Sequence, residues 1–296
     1  MSISHVRSGD GTRIAYEQSG AGSPVVLVGG AFNDASTVRP LAEVLSGQFT
    51  AVAYDRRGRG QSTDNRPYGA DRVAAEVADL VAVIEQVGAP SYVFGHSSGA
   101  VLALEAAMAE APISRLAVYE PSYVVDGARP RPGEHLIERI EQLLQAGDRD
   151  AAAALFLEES AGVPAPVVAQ MKHAPIWGWF ASLAHSLPYD LAVSGRGNLM
   201  PVDRLRAIAI PTLVLNGGAT ESWLEASAKT LATVIPQARH TVIDGEDHSI
   251  LQHPDALRDP LTEFFTDPDQ TPNRTPGPAT DPGRPGTRAR THQAGA

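Results

Sequence analysis

The sequence predicts an α/β architecture: a mostly parallel sheet covered by helices on both faces, with a block of helices inserted between two late strands. Three observations carry this. The short apolar runs Pro24–Val28, Thr50–Tyr54, Tyr92–Phe94, Leu116–Tyr119 and Thr212–Leu215 are of the kind buried on both faces, and the earlier ones alternate with segments of helical period. Between Ser122 and Arg206 that alternation stops, and helical stretches follow one another. One apolar strand also runs directly into Gly95-His96-Ser97-Ser98-Gly99 and then a helix, a strand–turn–helix that sets a serine on a sharp bend.

Taken in order, Ile3, Val6, Ile14 and Tyr16 flank Asp10-Gly11, a dipeptide suited to a tight turn, so residues 2–18 are expected to form a hairpin. The strand Pro24–Val28 follows, then a helix near Ala35–Leu45 and the strand Thr50–Tyr54. Val73, Val77, Leu80, Val81, Ile84 and Val87 recur at helical spacing and predict an amphipathic helix over Asp71–Val87, closed by Gly88. After the strand at Tyr92–Phe94, the proline-free run Ser98–Glu110 is expected as helix. The inserted block reads as helices at Glu134–Ala146, Asp148–Ala161, Val167–His173 and Ile176–Leu187. Thr212–Leu215 and His240–Ile243 are the last strands, and Ala256–Phe265 the closing helix. Residues 1–121 and 207–266 thus form the α/β core and 122–206 a helical cap. Residues 267–296, rich in Pro, Gly, Thr and Arg without apolar periodicity, are expected to be a disordered tail.

The 296 residues suffice for one large α/β domain carrying an insertion. A net charge of -10 disfavours binding to nucleic acid or an anionic membrane. No apolar run approaches the roughly 18 residues needed to cross a bilayer. The absence of cysteine excludes disulfides, thiolate catalysis and cysteine zinc sites. Met1–His5 lacks the basic and apolar regions of a signal peptide, so a cytoplasmic location is expected. Neither a metal cluster nor a phosphate-cradling loop is recognisable, so a small-molecule substrate and no cofactor are expected.

In the serine-bearing turn, Gly95 and Gly99 lack a Cβ and let the bend close, while the helix after Ser97 points backbone N–H groups at developing negative charge. Three further segments occur with it in a telling order. Val25–Val28 runs into Gly29-Gly30-Ala31-Phe32; Tyr54 leads into Asp55-Arg56-Arg57-Gly58-Arg59-Gly60-Gln61-Ser62; and Gly245-Glu246-Asp247-His248 lies near the C-terminal end. Over residues 2–266 the chain resembles the α/β-hydrolase superfamily, in its serine-nucleophile, capped, esterase- and lactonase-like branch. The three segments are similar to the family's oxyanion loop, its Asp-x-Arg-Gly-x-Gly-x-Ser turn and its histidine loop. The resemblance implies Ser97 as nucleophile, His248 as base, and the N–H groups of Ala31 and Ser98 as the oxyanion hole.

Two departures stand out. The oxyanion loop begins Gly29-Gly30 where the family usually has His-Gly, and Thr220 falls where the family usually carries its acid. Glu120, ending the strand Leu116–Tyr119, is the favoured replacement, and a carboxylate there is equally suited to holding the Glu120-Pro121 bend. Glu221 is the alternative acid, Asp126 a more remote one, and a site without a carboxylate partner stays open. Asp247 adjoins His248 too closely to orient its far nitrogen.

A serine hydroxyl needs an adjacent base, and an imidazole with a pKa near 6.5 suits that task. These residues support hydrolysis of an ester, thioester or lactone through an acyl-enzyme. Phe32 beside the oxyanion loop, with Trp177, Trp179 and Phe180 in the cap, is expected to line a pocket for a small to medium apolar group; the same side chains also suit a cap core. Arg56, Arg57 and Arg59 read as a framework bracing neighbouring loops with Asp55. Two other functions fit the motifs: a lyase, cyclase or acyltransferase on the same fold, and a ligand-binding member without turnover.

Overall fold

A computed structural model describes residues 2–65 and 71–268. Of the segment 267–296 expected as a disordered tail, all but 267–268 lies outside them. The hairpin forms as β1 (Ser4–Arg7) and β2 (Arg13–Ser19), with Val6 opposite Ile14. β3 (Pro24–Val28), β4 (Thr50–Tyr54), β5 (Ser91–His96), β6 (Ile113–Tyr119), β7 (Thr212–Gly217) and β8 (Ala238–Ile243) complete one eight-stranded sheet in the order β1-β2-β4-β3-β5-β6-β7-β8. Only β1–β2 and β2–β4 pair antiparallel; the remaining pairs are parallel, as the buried apolar runs predict.

Alternation along the strands sorts the core into two layers. Val26, Val28, Val52, Val93, Leu116, Val118 and Val214 face one cluster, with α2 (Arg72–Val87), α3 (Ser98–Met108) and α10 (Ser222–Val234) on that side. Their neighbours Val25, Leu27, Phe94, Ala117, Leu213 and Leu215 face a second cluster under α1 (Ala35–Leu45) and α11 (Arg258–Thr266). With every strand of this group buried on both faces, the sheet's carboxyl edge is where loops are free to diverge and carry chemistry.

Between β6 and β7 the described elements are helical: α4 (Leu136–Gln145), α5 (Arg149–Leu155), α6 (Ala165–Met171), α7 (Trp177–Leu183), α8 (Leu187–Ser194) and α9 (Val202–Leu205). Leu136, Ile140, Ala152, Ala153, Phe156, Leu157, Leu183 and Leu187 form a third apolar cluster, and Phe32 from the loop after β3 joins it. Several elements differ from the expectation. The stretch Asp148–Ala161 divides into α5 and a π-helical turn, Phe156–Ser160. The stretch Ile176–Leu187 ends early, and a 3₁₀ turn at Ala184–Ser186 leads into α8, whose start is marked by Pro188 in its first turn. α10 was hidden because Glu221 starts it without a capping side-chain bond, although Leu224, Ala228 and Leu231 are buried at helical spacing. No described helix is long and apolar enough to cross a membrane.

Candidate active site

Ser97 occupies the single residue between β5 and α3, at φ 56 and ψ -124, a backbone conformation that a non-glycine residue holds only when its surroundings impose it. Those surroundings are tight. A Cβ on Gly95 would lie 2.6 Å from the Ala100 Cα, and one on Gly99 would lie 2.3 Å from the Val28 carbonyl oxygen. The Ser97 N–H donates to the Tyr119 carbonyl at 2.9 Å and ties the bend to the end of β6.

From this bend a continuous chain of hydrogen bonds runs to the neighbouring strands. Ser97 Oγ lies 3.2 Å from His248 Nε2, His248 Nδ1 lies 2.7 Å from Glu120 Oε2, and Glu120 Oε1 accepts the Gly217 N–H at 2.8 Å. Glu120 is fully buried, at φ 47, and its own N–H donates to the Leu215 carbonyl at 3.0 Å. One Glu120 oxygen thus meets the histidine, and the other accepts a backbone N–H of β7. The rival carboxylates are elsewhere. Glu221 is exposed at the start of α10, Asp126 pairs with Arg131, and Asp247 Oδ1 accepts the Ser249 N–H at 2.7 Å.

The loop carrying His248 is pinned from below. The Tyr119 hydroxyl donates to the Asp247 carbonyl at 2.7 Å, and His96 Nε2 donates to the His248 carbonyl at 2.9 Å. Gly217 lets β7 approach the loop, since a Cβ there would sit 2.1 Å from the Glu246 carbonyl oxygen. Burial drives the pKa of His96 down to about 3, helped by the adjacent His248, so His96 serves as a neutral donor.

The loop after β3 faces the elbow, the bend between β5 and α3 that carries Ser97. The Gly30 N–H donates to Asn33 Oδ1 at 3.0 Å, and Gly30 Cα lies where an added Cβ would meet Ser97 Cβ at 2.9 Å. Ser98 opens α3, where a backbone N–H has no acceptor within the helix. No described backbone group accepts the N–H of Ala31 or of Ser98. Among the described residues no group of three or more His, Asp or Glu side chains is placed to hold a metal ion.

The sequence model of the "Alpha/beta hydrolase family" matches residues 25–259, the span that contains every segment of this site. The chain belongs to that family. An alpha/beta hydrolase from Sphaerobacter thermophilus DSM 20745 has a similar crystal structure, with a TM-score of 0.83 and 47% identity over 89% of this chain and 100% of that one. In sequence the chain is 28% identical over 268 residues to a protein of Azorhizobium caulinodans that carries the provisional name carbamate hydrolase RutD, covering 86% of this chain and 96% of that one. It is 25% identical over 259 residues to the 2-(acetamidomethylene)succinate hydrolase of Mesorhizobium japonicum, covering 84% and 90%.

In this α/β hydrolase the aromatic candidates gather on one side of the loop after β3. Phe32, at φ 58, packs its ring 4.7 Å from Phe180 and edge-on to Phe156 at 5.5 Å. Trp179 Nε1 donates to the Phe32 carbonyl at 2.8 Å, so a side chain of α7 holds the strained residue next to Ala31. Trp177 sits one ring further back, 6.4 Å from Phe180 and nearly buried, with its indole N–H on Asp150. Phe32, Trp179 and Phe180 are thus brought together beside the loop, and Trp177 packs behind them; all four belong to or pack against the third apolar cluster.

The arginine turn is a buried framework. Asp55 accepts the N–H groups of Ala35 at 2.7 Å and Gln61 at 2.8 Å, and Arg57 forks onto Asp79 at 2.8 Å through both Nε and Nη2. Arg56 forks onto Glu76 at 2.8 and 2.6 Å. Arg59 turns instead to Asp190 of α8, a residue that sequence reasoning missed; the available signal was a lone acid in the otherwise apolar run Leu187–Val193.

Proposed function

We propose that this α/β hydrolase is a cofactor-free serine hydrolase that cleaves a small to medium apolar carboxylic ester or lactone through an acyl-enzyme. The observation that carries this reading is the unbroken chain Ser97 Oγ–His248–Glu120, at 3.2 and 2.7 Å. As Ser97 Oγ attacks the acyl carbon, His248 Nε2 takes its proton, and the buried Glu120 carboxylate stabilises the imidazolium through Nδ1–H. The tetrahedral oxyanion faces the N–H groups of Ala31 and Ser98, each such donor contributing about 2.7–4 kcal/mol in related chemistry. Collapse returns the proton from His248 to the departing alkoxide. Water then gives its proton to His248 as it attacks the acyl-enzyme, and the carboxylic acid leaves as Ser97 regains its proton. The cluster of Phe32, Trp179 and Phe180 beside the loop supports an apolar acyl or alcohol group.

Names of relatives add a second reading. One is called a carbamate hydrolase and another hydrolyses an acetamido compound, which favours a scissile C–N bond served by the same three residues, with His248 protonating the departing nitrogen. Both readings are hydrolytic and weigh against a lyase, cyclase, acyltransferase or silent binding member. The test is intact-mass spectrometry after a fluorophosphonate, beside p-nitrophenyl esters and p-nitroanilides of increasing acyl length. A single adduct mapped to Ser97, absent in Ser97→Ala, with ester turnover is the expected result. Anilide turnover above ester turnover would shift the reading to the C–N bond, and no adduct on folded protein would sink both.

A further inference from the structure

Asp190 comes from the cap, yet its carboxylate is wholly enclosed beside the elbow. It accepts Arg59 Nη2 at 2.9 and 2.8 Å, Arg56 Nη1 at 2.7 Å and the Ser98 hydroxyl at 2.8 Å. Burial opposes its charge, but Arg59 and Arg56 outweigh that effect and hold the carboxyl below the usual carboxylate range. The same two guanidiniums also grip the loop after β3. Arg56 Nη1 donates to the Gly29 carbonyl at 3.2 Å; Arg59 Nη1 donates to the carbonyls of Gly30 at 2.6 Å and Asn33 at 3.1 Å.

The Gly30 carbonyl and the Ala31 N–H belong to one planar peptide unit, so fixing the oxygen fixes the direction of the N–H. The Ser98 hydroxyl likewise belongs to the residue whose backbone N–H is the second oxyanion donor. One carboxylate is therefore bonded directly to one donor residue and, through a single guanidinium, to the peptide carrying the other.

We propose that Asp190 is a positioning residue that presets both oxyanion donors, which makes assembly of the hole depend on seating α8 of the cap against the elbow. This rests on the Ser97 acyl-enzyme reading. It touches no reacting atom; its effect runs through the geometry of Ala31 and Ser98, and so belongs to the tetrahedral state rather than to substrate binding.

The test uses the full-length protein with Asp190→Asn and Ser98→Ala, the p-nitrophenyl ester turned over best, and a boronic acid that forms a tetrahedral adduct on Ser97. Asp190→Asn is expected to lower kcat about 10- to 100-fold with KM changed less than about 3-fold, and to weaken the boronate by the same factor as kcat/KM. Ser98→Ala keeps the backbone donor and loses only the bond to Asp190. It is expected to show the same pattern at about 3- to 10-fold with little change in Tm, and it carries the test if Asp190→Asn fails to fold. Folded variants with unchanged kcat, or with lowered kcat and undiminished boronate affinity, would overturn the proposal. Wild type without a Ser97 adduct would instead overturn the acyl-enzyme reading, and this proposal with it.

Discussion

Glu120→Gln separates the two roles proposed for one side chain. Glutamine retains a carbonyl oxygen for the Gly217 N–H, now bonded at 2.8 Å, so the strand end stays held. What changes is the partner of His248 Nδ1, at present a carboxylate oxygen 2.7 Å away. A unit charge pair at that separation is worth about 6 kcal/mol at an effective dielectric of 20. The His248 side chain is 41% exposed, and solvent screening reduces this to about 3 kcal/mol, or roughly 100-fold in rate. The amide NH₂ also faces Nδ1 and favours the tautomer with the proton on Nε2, which is useless to Ser97, so the loss is expected between about 10² and 10⁴ in kcat. Steady-state kinetics would read this, with thermal unfolding as the control: Tm is expected to move by less than about 4 °C. Turnover within about 3-fold of wild type in a folded variant would show that Glu120 holds the bend alone. A large fall in Tm would assign the lost activity to structure.

Two further outcomes follow from close packing and burial. Gly99→Ala places a Cβ 2.3 Å from the Val28 carbonyl oxygen, backbone that cannot yield, and is expected to cost more than about 3 kcal/mol, lowering Tm by about 6 °C or more, whereas Gly47→Ala meets nothing within 4 Å and leaves Tm within about 2 °C; equal melting of the two would refute the packing argument. His96, neutral with a pKa near 3, refuses a proton that the unfolded chain accepts below about 6.5. Stability therefore falls as pH drops through that window, by up to about 1.4 kcal/mol per pH unit from this group, and urea titrations should show a shallower pH slope in His96→Gln; an unchanged slope would remove His96 as the cause.

Much of the fold is legible because local and global signals agree. Apolar strands five residues long with Gly and Pro between them can only be buried on both faces, and Gly95 and Gly99 announce a bend too tight for side chains. What escaped are features whose cause lies far along the chain. Nothing within Leu187–Ser194 reveals that Asp190 will meet Arg59, 131 residues away, because its partners are chosen by how α8 seats on the sheet. The turn at Arg56–Arg59 could be read as a framework, since so many arginines rarely stay buried without carboxylates, but not which carboxylates they take. Trp177 and Phe180 share a helix and a composition; only packing sets one behind the other.

The position of the candidate acid follows from sheet geometry. β6 and β7 are neighbours, with Tyr119 opposite Leu215, so Glu120 stands beside Asn216 at the same carboxyl edge. Parallel strands lie about 4.8 Å apart, a distance that one extra methylene and a change of backbone direction can bridge. Glu120 uses both: it is glutamate rather than aspartate, and its φ of 47 turns the chain as β6 ends. Its second oxygen takes the Gly217 N–H, so the neighbouring strand fixes its orientation. Thr220, at the position where the family usually carries its acid, keeps a buried hydroxyl without a partner among the described residues. The requirement imposed by the histidine is thus a carboxylate at a point in space above two adjacent strands, and either strand end can meet it.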